Sequence, residues 1–146
     1  MPQFHVIAQD GVPAEAEIVD IGLEEFNERA APLHEVQTLS CLVHDGAGKV
    51  VGGAVGRLWG ELCELQQLWV DESLRGSGVG ERVVREFERH AVGKGCKSFY
   101  LETFSFQAPD FYRKLGYRVV YERTGYPHGI VKHHMLKAVG GAGAVL

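Results

Sequence analysis

The run Val70-Asp71-Glu72-Ser73-Leu74-Arg75-Gly76-Ser77-Gly78-Val79-Gly80 sets a basic residue and three alternate glycines between a strand-like segment and an amphipathic segment of helical period. Glycines let backbone N–H groups converge on a ligand without interference from Cβ atoms, and a following helix adds unpaired N–H groups and the positive end of its dipole. That is chemistry for an anion, above all a phosphate. A Walker loop would need Lys followed by Ser or Thr after the last glycine, and here Glu81 and Arg82 follow Gly80. A dinucleotide fingerprint needs Gly-x-Gly-x-x-Gly, a spacing that Gly76, Gly78 and Gly80 do not have. Taken alone, the triplet would also suit a plain flexible turn.

Other reactive side chains are less organised. Cys41, Cys63 and Cys96 are odd in number and widely spaced, which suggests neither a disulfide framework nor a zinc site, and buried free thiols are expected. Of seven histidines only His133 and His134 are adjacent, and neighbours on a strand point to opposite faces, so no metal site is expected.

The elements that must carry the loop can be read from period and punctuation. Phe4 to Ala8 reads as a first strand and Asp20 to Asn27 as a helix, capped by Asp20, with Leu23 and Phe26 on one face and Pro32 beyond its end. Strands follow over Val36 to His44 and Lys49 to Trp59, joined at Asp45-Gly46-Ala47-Gly48, where Asp-Gly would supply the positive φ of a tight turn. In the next strand, Leu62 to Val70, simple alternation puts Leu62, Glu64, Gln66, Leu68 and Val70 on one face. After the loop comes a helix with Val83, Val84, Phe87 and Ala91 inward, and Glu81, Arg82, Arg85, Glu88 and Arg89 on its wet side, stopped by Gly93 and Gly95. A strand at Lys97 to Phe104, a short helix from Pro109 closed by Gly116, and strands at Tyr117 to Tyr121 and Ile130 to Leu136 complete the order. The expected class is α/β (α+β), a mixed, mostly antiparallel sheet flanked by helices, as one domain over residues 1–139 with a flexible tail at 140–146.

Arg75-Gly76-Ser77-Gly78-Val79-Gly80 resembles the Arg/Gln-x-x-Gly-x-Gly/Ala motif of the GNAT acetyltransferases, with Leu68-Trp69-Val70 before it and a helix after it. Phe111-Tyr112-Arg113-Lys114-Leu115-Gly116-Tyr117 resembles the end of a later helix in that family, and the resemblance covers about three-quarters of the chain, from Val36 onward. The resemblance implies acetyl-coenzyme A as co-substrate and no metal. It implies that Arg75 and the backbone amides of Gly76, Gly78, Val79 and Gly80 hold the pyrophosphate, with Ser77 also in the cofactor-binding loop, while Leu68 and Val70 pair with the pantetheine arm and the Val70 N–H stabilises the oxyanion. It further implies Tyr112 as proton donor to the leaving thiolate and Glu64, eleven residues before Arg75, as base acting through water, with Glu61 and Glu102 as competitors. Tyr112 could equally be an aromatic packing residue, and Glu64 a solvated one. Trp59, Phe104, Phe106 and Tyr126 are candidates for an acceptor pocket and equally for core or rim packing.

A formal charge of -4 gives no net attraction to nucleic acid or to an anionic membrane, and no apolar run is long enough to span a bilayer. The expectation is a cytoplasmic enzyme that acetylates a primary amine of a small molecule, with a homodimer left open. The alternative is a sensor or interaction domain of the same fold that binds acyl-coenzyme A without turnover.

Overall fold

A computed structural model describes residues 3–140, in two units, residues 3–34 and residues 35–140. The first unit holds a 3-10 turn, Ala14–Ala16, that runs into helix α1, Glu17–Ala30. Asp20 is therefore inside the first turn and not the cap, a place where a carboxylate still favours the helix dipole. The strand expected at Phe4 to Ala8 does not form, because a strand needs a ladder partner and this unit contains no other strand among the described residues.

The second unit is a six-stranded sheet in the order β1-β2-β3-β4-β6-β5. Its strands are β1 (Gln37–His44), β2 (Val50–Trp59), β3 (Leu62–Val70), β4 (Ser98–Phe104), β5 (Arg118–Arg123) and β6 (Lys132–Ala138). Helix α2 (Val79–Val92) joins β3 to β4, and α3 (Pro109–Lys114) lies between β4 and β5. Neighbours pair antiparallel except β3 and β4, which run parallel across the α2 crossover. The mixed, mostly antiparallel α/β class is as expected. At the β1–β2 turn Asp45 Oδ1 accepts from the Ala47 and Lys49 N–H groups, and the left-handed residue is Gly48, not Gly46.

Two local features shape the centre of the sheet. The β3–β4 ladder covers only Leu62 to Glu64 against Ser98 to Tyr100, after which neither strand has the other as a partner. On the other side of β3 the register slips between Val55↔Gln67 and Gly56↔Leu65, so that Gln66 is a bulge. The bulge reverses the alternation. Cys63 and Leu65 are buried before it and Leu68 packs on the same core after it, so Glu64 and Leu68 do not share a face as simple alternation predicts.

The core forms where α2 lies on this sheet: Val83, Val84, Phe87 and Ala91 meet Leu58, Cys63, Leu65, Phe99 and Leu101. Each large side chain buried there contributes about 1.5–3 kcal/mol relative to exposure. Glu88, expected on the wet side, is instead buried, because Tyr117 and Lys137 give its carboxylate partners at 2.7 and 2.9 Å. Among the described residues no helix is long and apolar enough to cross a membrane. Of the tail at 140–146, all but Gly140 lies outside the described residues.

Candidate active site

Beyond Val70 the chain turns through a 3-10 segment, Glu72–Leu74, capped by Asp71, whose carboxylate accepts from the Ser73 N–H at 3.1 Å. Bonds from the Ser73 hydroxyl, and then from its N–H, hold the Asp71 carboxyl below the usual range. Arg75 Nε donates to the Val70 carbonyl at 3.1 Å, and the Ser77 hydroxyl donates to the Leu74 carbonyl. The Arg75 Nε and the Ser77 hydroxyl are thus spent on the loop's own carbonyls, as is the Ser77 N–H, which donates to Leu74 at 3.4 Å. No backbone carbonyl among the described residues accepts from the Gly76 or Gly78 N–H, and no side chain caps α2.

Gly76 and Gly78 take φ of +80° and +84°, which L side chains rarely adopt, and a Cβ on either would meet nothing within 4 Å. The demand for glycine therefore comes from backbone shape and from whatever approaches the loop. This is a cradle of unpaired N–H groups at a helix N-terminus, and it fits a phosphate.

A cleft of ≈ 690 Å³ opens beside it. Of the residues assigned to the cofactor from sequence, Leu68, Val70, Arg75, Gly76, Gly78 and Gly80 line this cleft, together with Phe106, Gln107, Ala108 and Phe111. Ser77 and Val79 do not. Because β3 has parted from β4 here, the strand edge from Gln66 to Val70 has no ladder partner on the β4 side. An extended ligand segment can pair with such an edge.

A second cleft, of ≈ 490 Å³, lies where the strands diverge. Leu68, Trp69, Gln107 and Ala108 line both clefts. Tyr112 closes the second one. It sits on α3, which starts at Pro109, and it is 8% exposed. Its ring packs edge-on against Phe111 and Tyr117, with centroids 5.2 and 5.7 Å away. Burial pushes its hydroxyl up to about 12, so the group is a persistent donor.

Glu64 occupies the last step of β3 that pairs with β4, opposite Tyr100, and its Oε1 accepts from Arg57 Nε at 3.1 Å. It lines neither cleft. Of its competitors, Glu61 pairs with Lys97 at 3.1 Å and Glu102 with Lys132 at 3.2 Å. The aromatic candidates divide. Phe104 stacks on Phe106 at 5.3 Å and meets Tyr126 edge-on at 5.5 Å, whereas Trp59 stands apart at the end of β2. His133 lies opposite Glu122 and Thr103, and His134 opposite Glu102 and Tyr121, on the two faces of the sheet. Cys63 and Cys96 are buried and Cys41 half-buried, and burial raises all three thiols, Cys63 to about 12. Sequence reasoning passed over Gln66, Gln67, Thr103 and Gln107, all of which line the second cleft. The signal that could have marked two of them is a pair of adjacent glutamines in a mostly apolar strand.

The family model of the acetyltransferase (GNAT) family matches residues 8–117. The chain belongs to that family. This GNAT enzyme is 37% identical over 109 residues to the blasticidin-S acetyltransferase of Streptomyces morookaense, covering 74% of this chain and 78% of that one. It is 30% identical over 131 residues to an uncharacterized N-acetyltransferase of Bacillus subtilis, covering 90% and 83%. The crystal structure of an acetyltransferase from Bacillus cereus superposes with a TM-score of 0.75 at 31% identity, covering 92% and 98%. The protein is an N-acetyltransferase, and its family uses acetyl-coenzyme A.

Proposed function

We propose that this enzyme moves the acetyl group of acetyl-coenzyme A to the primary amine of a small molecule by direct attack within a ternary complex, with residues 1–139 acting as one domain. The observation that carries this is the meeting of the two clefts at Leu68, Trp69, Gln107 and Ala108, which lets a donor in one reach an acceptor in the other. Direct attack is further supported by the thiols: Cys41, Cys63 and Cys96 are all raised by burial, and none of them lines either cleft to take the acetyl group first. The relationship to a blasticidin-S acetyltransferase supports a small-molecule amine. The family match from residue 8 takes in α1 and supports a single domain.

Acetyl-coenzyme A supplies an acetyl group activated as a thioester. The N–H groups of Gly76, Gly78, Val79 and Gly80, with the free end of the Arg75 guanidinium, hold its pyrophosphate. The unpaired edge of β3 at Leu68 and Val70 orders its extended arm, and the Val70 N–H faces the developing oxyanion. Tyr112 donates to the leaving sulfur. With a pKa of about 12 it is far weaker than an ordinary thiol at about 8.5, so it acts by a strong hydrogen bond to the developing thiolate more than by complete transfer. Glu64 lines neither cleft, so it takes up the proton of the amine only through intervening water.

The test couples binding to turnover. Wild-type protein should bind acetyl-coenzyme A in calorimetry and release free thiol with an amine acceptor, yielding the acetylated amine by mass spectrometry. Gly78→Glu, which places a side chain and a negative charge in the cradle, should abolish both. Binding by the variant equal to that of the wild type refutes the cradle assignment, and binding without thiol release across a broad amine panel replaces the enzyme with a sensor.

A further inference from the structure

The second cleft is polar yet carries no formal charge. Its hydrogen-bonding side chains are Gln66, Gln67, Thr103, Gln107 and Tyr112, and among the described residues no Asp, Glu, Lys, Arg or His lines it. The bulge at Gln66 explains part of this. Successive side chains of a regular strand point to opposite faces, but where the bulge meets the parting of β3 from β4, Gln66 and Gln67 both reach the same cleft.

Gln107 is oriented by its own partners. Its Oε1 accepts from the Phe104 N–H at 2.7 Å and from the Thr103 hydroxyl at 3.4 Å, which fixes which end of the carboxamide is oxygen. Its two Nε2 protons are therefore left to donate at the junction of the clefts. Gln66, Gln67 and Gln107 are all exposed, as is Trp69 at 52%, so these groups are open to a ligand.

Charge decides between acceptor classes. A second ammonium or a carboxylate held against this lining meets no counter-charge in exchange for the water it gives up, whereas a neutral amide exchanges its water hydrogen bonds for equivalent ones with carboxamides. A polyamine or polycationic sugar calls for carboxylates here, and an acidic acceptor calls for Arg or Lys. Neither is present among the lining residues.

Resting on the reading that this cleft is the acceptor side, we infer that the acceptor is a primary amine whose recognised remainder is uncharged and bears an amide-type edge, such as a carboxamide, lactam or ureido group. Gln66, Gln67 and Gln107 read that edge, and the exposed face of Trp69 supports the plane that carries it.

The experiment compares glycinamide, glycine and ethylenediamine, which share one aminomethyl group and differ in what it carries. kcat/KM is measured by thiol release at saturating acetyl-coenzyme A, corrected to the free-amine concentration. Glycinamide should exceed both others by at least about tenfold. Gln66→Glu should raise the ethylenediamine-to-glycinamide ratio by about tenfold while leaving the calorimetric Kd for acetyl-coenzyme A unchanged. If ethylenediamine or glycine equals glycinamide in the wild type, or the ratio does not move in Gln66→Glu, the acceptor assignment is wrong while the acetyltransferase reading stands. If none of the three amines is turned over, calorimetry separates the two readings: retained acetyl-coenzyme A binding overturns the acceptor assignment alone, and lost binding overturns the proposed function on which it rests.

Discussion

The Glu88 carboxylate of α2 accepts from the Tyr117 hydroxyl at 2.7 Å and from the Lys137 ammonium at 2.9 and 3.1 Å, bonding the middle of a helix to residues beyond α3 and on β6. Burial, and then the Glu88 charge, raise the Tyr117 hydroxyl far above its ordinary range, so it remains a donor. With side chains 9% and 20% exposed, the ion pair is largely out of water. Removing one partner from such a pair leaves the other charge uncompensated, at about 3–5 kcal/mol. Glu88→Ala should therefore lower unfolding stability in urea by about that amount, and Glu88→Ala/Lys137→Met should recover much of it. A single variant within about 0.5 kcal/mol of wild type would show that the pair contributes nothing.

Gly56 sits under the ring of Phe87, and a Cβ there would be 2.1 Å from the Glu64 carbonyl oxygen and 2.7 Å from Phe87 Cζ. The obstacle is β3 backbone, which cannot give way as a flexible side chain would. Gly56→Ala should thus cost 3 kcal/mol or more, at or beyond the upper end of the usual range of about 1–3 kcal/mol for overpacking. Gly46→Ala, in open space at the β1–β2 turn, should stay within about 0.5 kcal/mol. Equal urea midpoints for the two variants would contradict this packing.

Particular residues show why some of the molecule was legible and some was not. The bounds of β3 and the existence of α2 follow from local period and from the glycines that flank them, which is information carried by neighbours in the chain. The inward place of Glu88 depends on Tyr117 and Lys137, 29 and 49 residues away, and a charged residue beside Arg89 reads locally as solvated. Likewise the bulge at Gln66 arises from pairing with Val55 and Gly56, so the reversal of faces along β3 left no local trace. The loop at Arg75 to Gly80 was legible because backbone geometry itself demands glycine there. The second cleft was not, because its lining comes from strands that part and from a turn after β4.

Alkaline pH should destabilise the fold in a defined window. Burial raises the Cys63 thiol from 9.0 to about 12 and the Tyr112 hydroxyl from 10.0 to about 12. Both groups hold their protons more tightly when folded, so their contribution is fully present below about pH 9 and is lost as pH rises from there to about 12. Unfolding midpoints in urea should be flat with respect to these groups from pH 7 to 9 and fall above that. Cys63→Ala should make the fall shallower without moving its onset, because Cys41 and Cys96 are raised from the same 9.0. A midpoint that rises between pH 9 and 11 would contradict their burial.

Tyr112→Phe separates a chemical role for the hydroxyl from a packing role for the ring. The variant keeps the edge-on contacts with Phe111 and Tyr117 and removes only the O–H, so the fold and the acetyl-coenzyme A Kd should be little changed. If the hydroxyl supports the departing sulfur, kcat should fall by about 10²-fold or more, toward the range of about 10²- to 10⁴-fold for a lost acid catalyst. The raised pKa adds a second condition. Because the hydroxyl stays protonated until about pH 12, wild-type kcat should show no alkaline loss assignable to Tyr112 between pH 7 and 10. Measured with a good acceptor at saturating cofactor, and with the chemical step shown to limit the rate, wild-type kcat in Tyr112→Phe would assign the ring to packing alone. An alkaline limb near pH 9 that disappears in the variant would instead mean that the hydroxyl ionises far more readily than its burial allows.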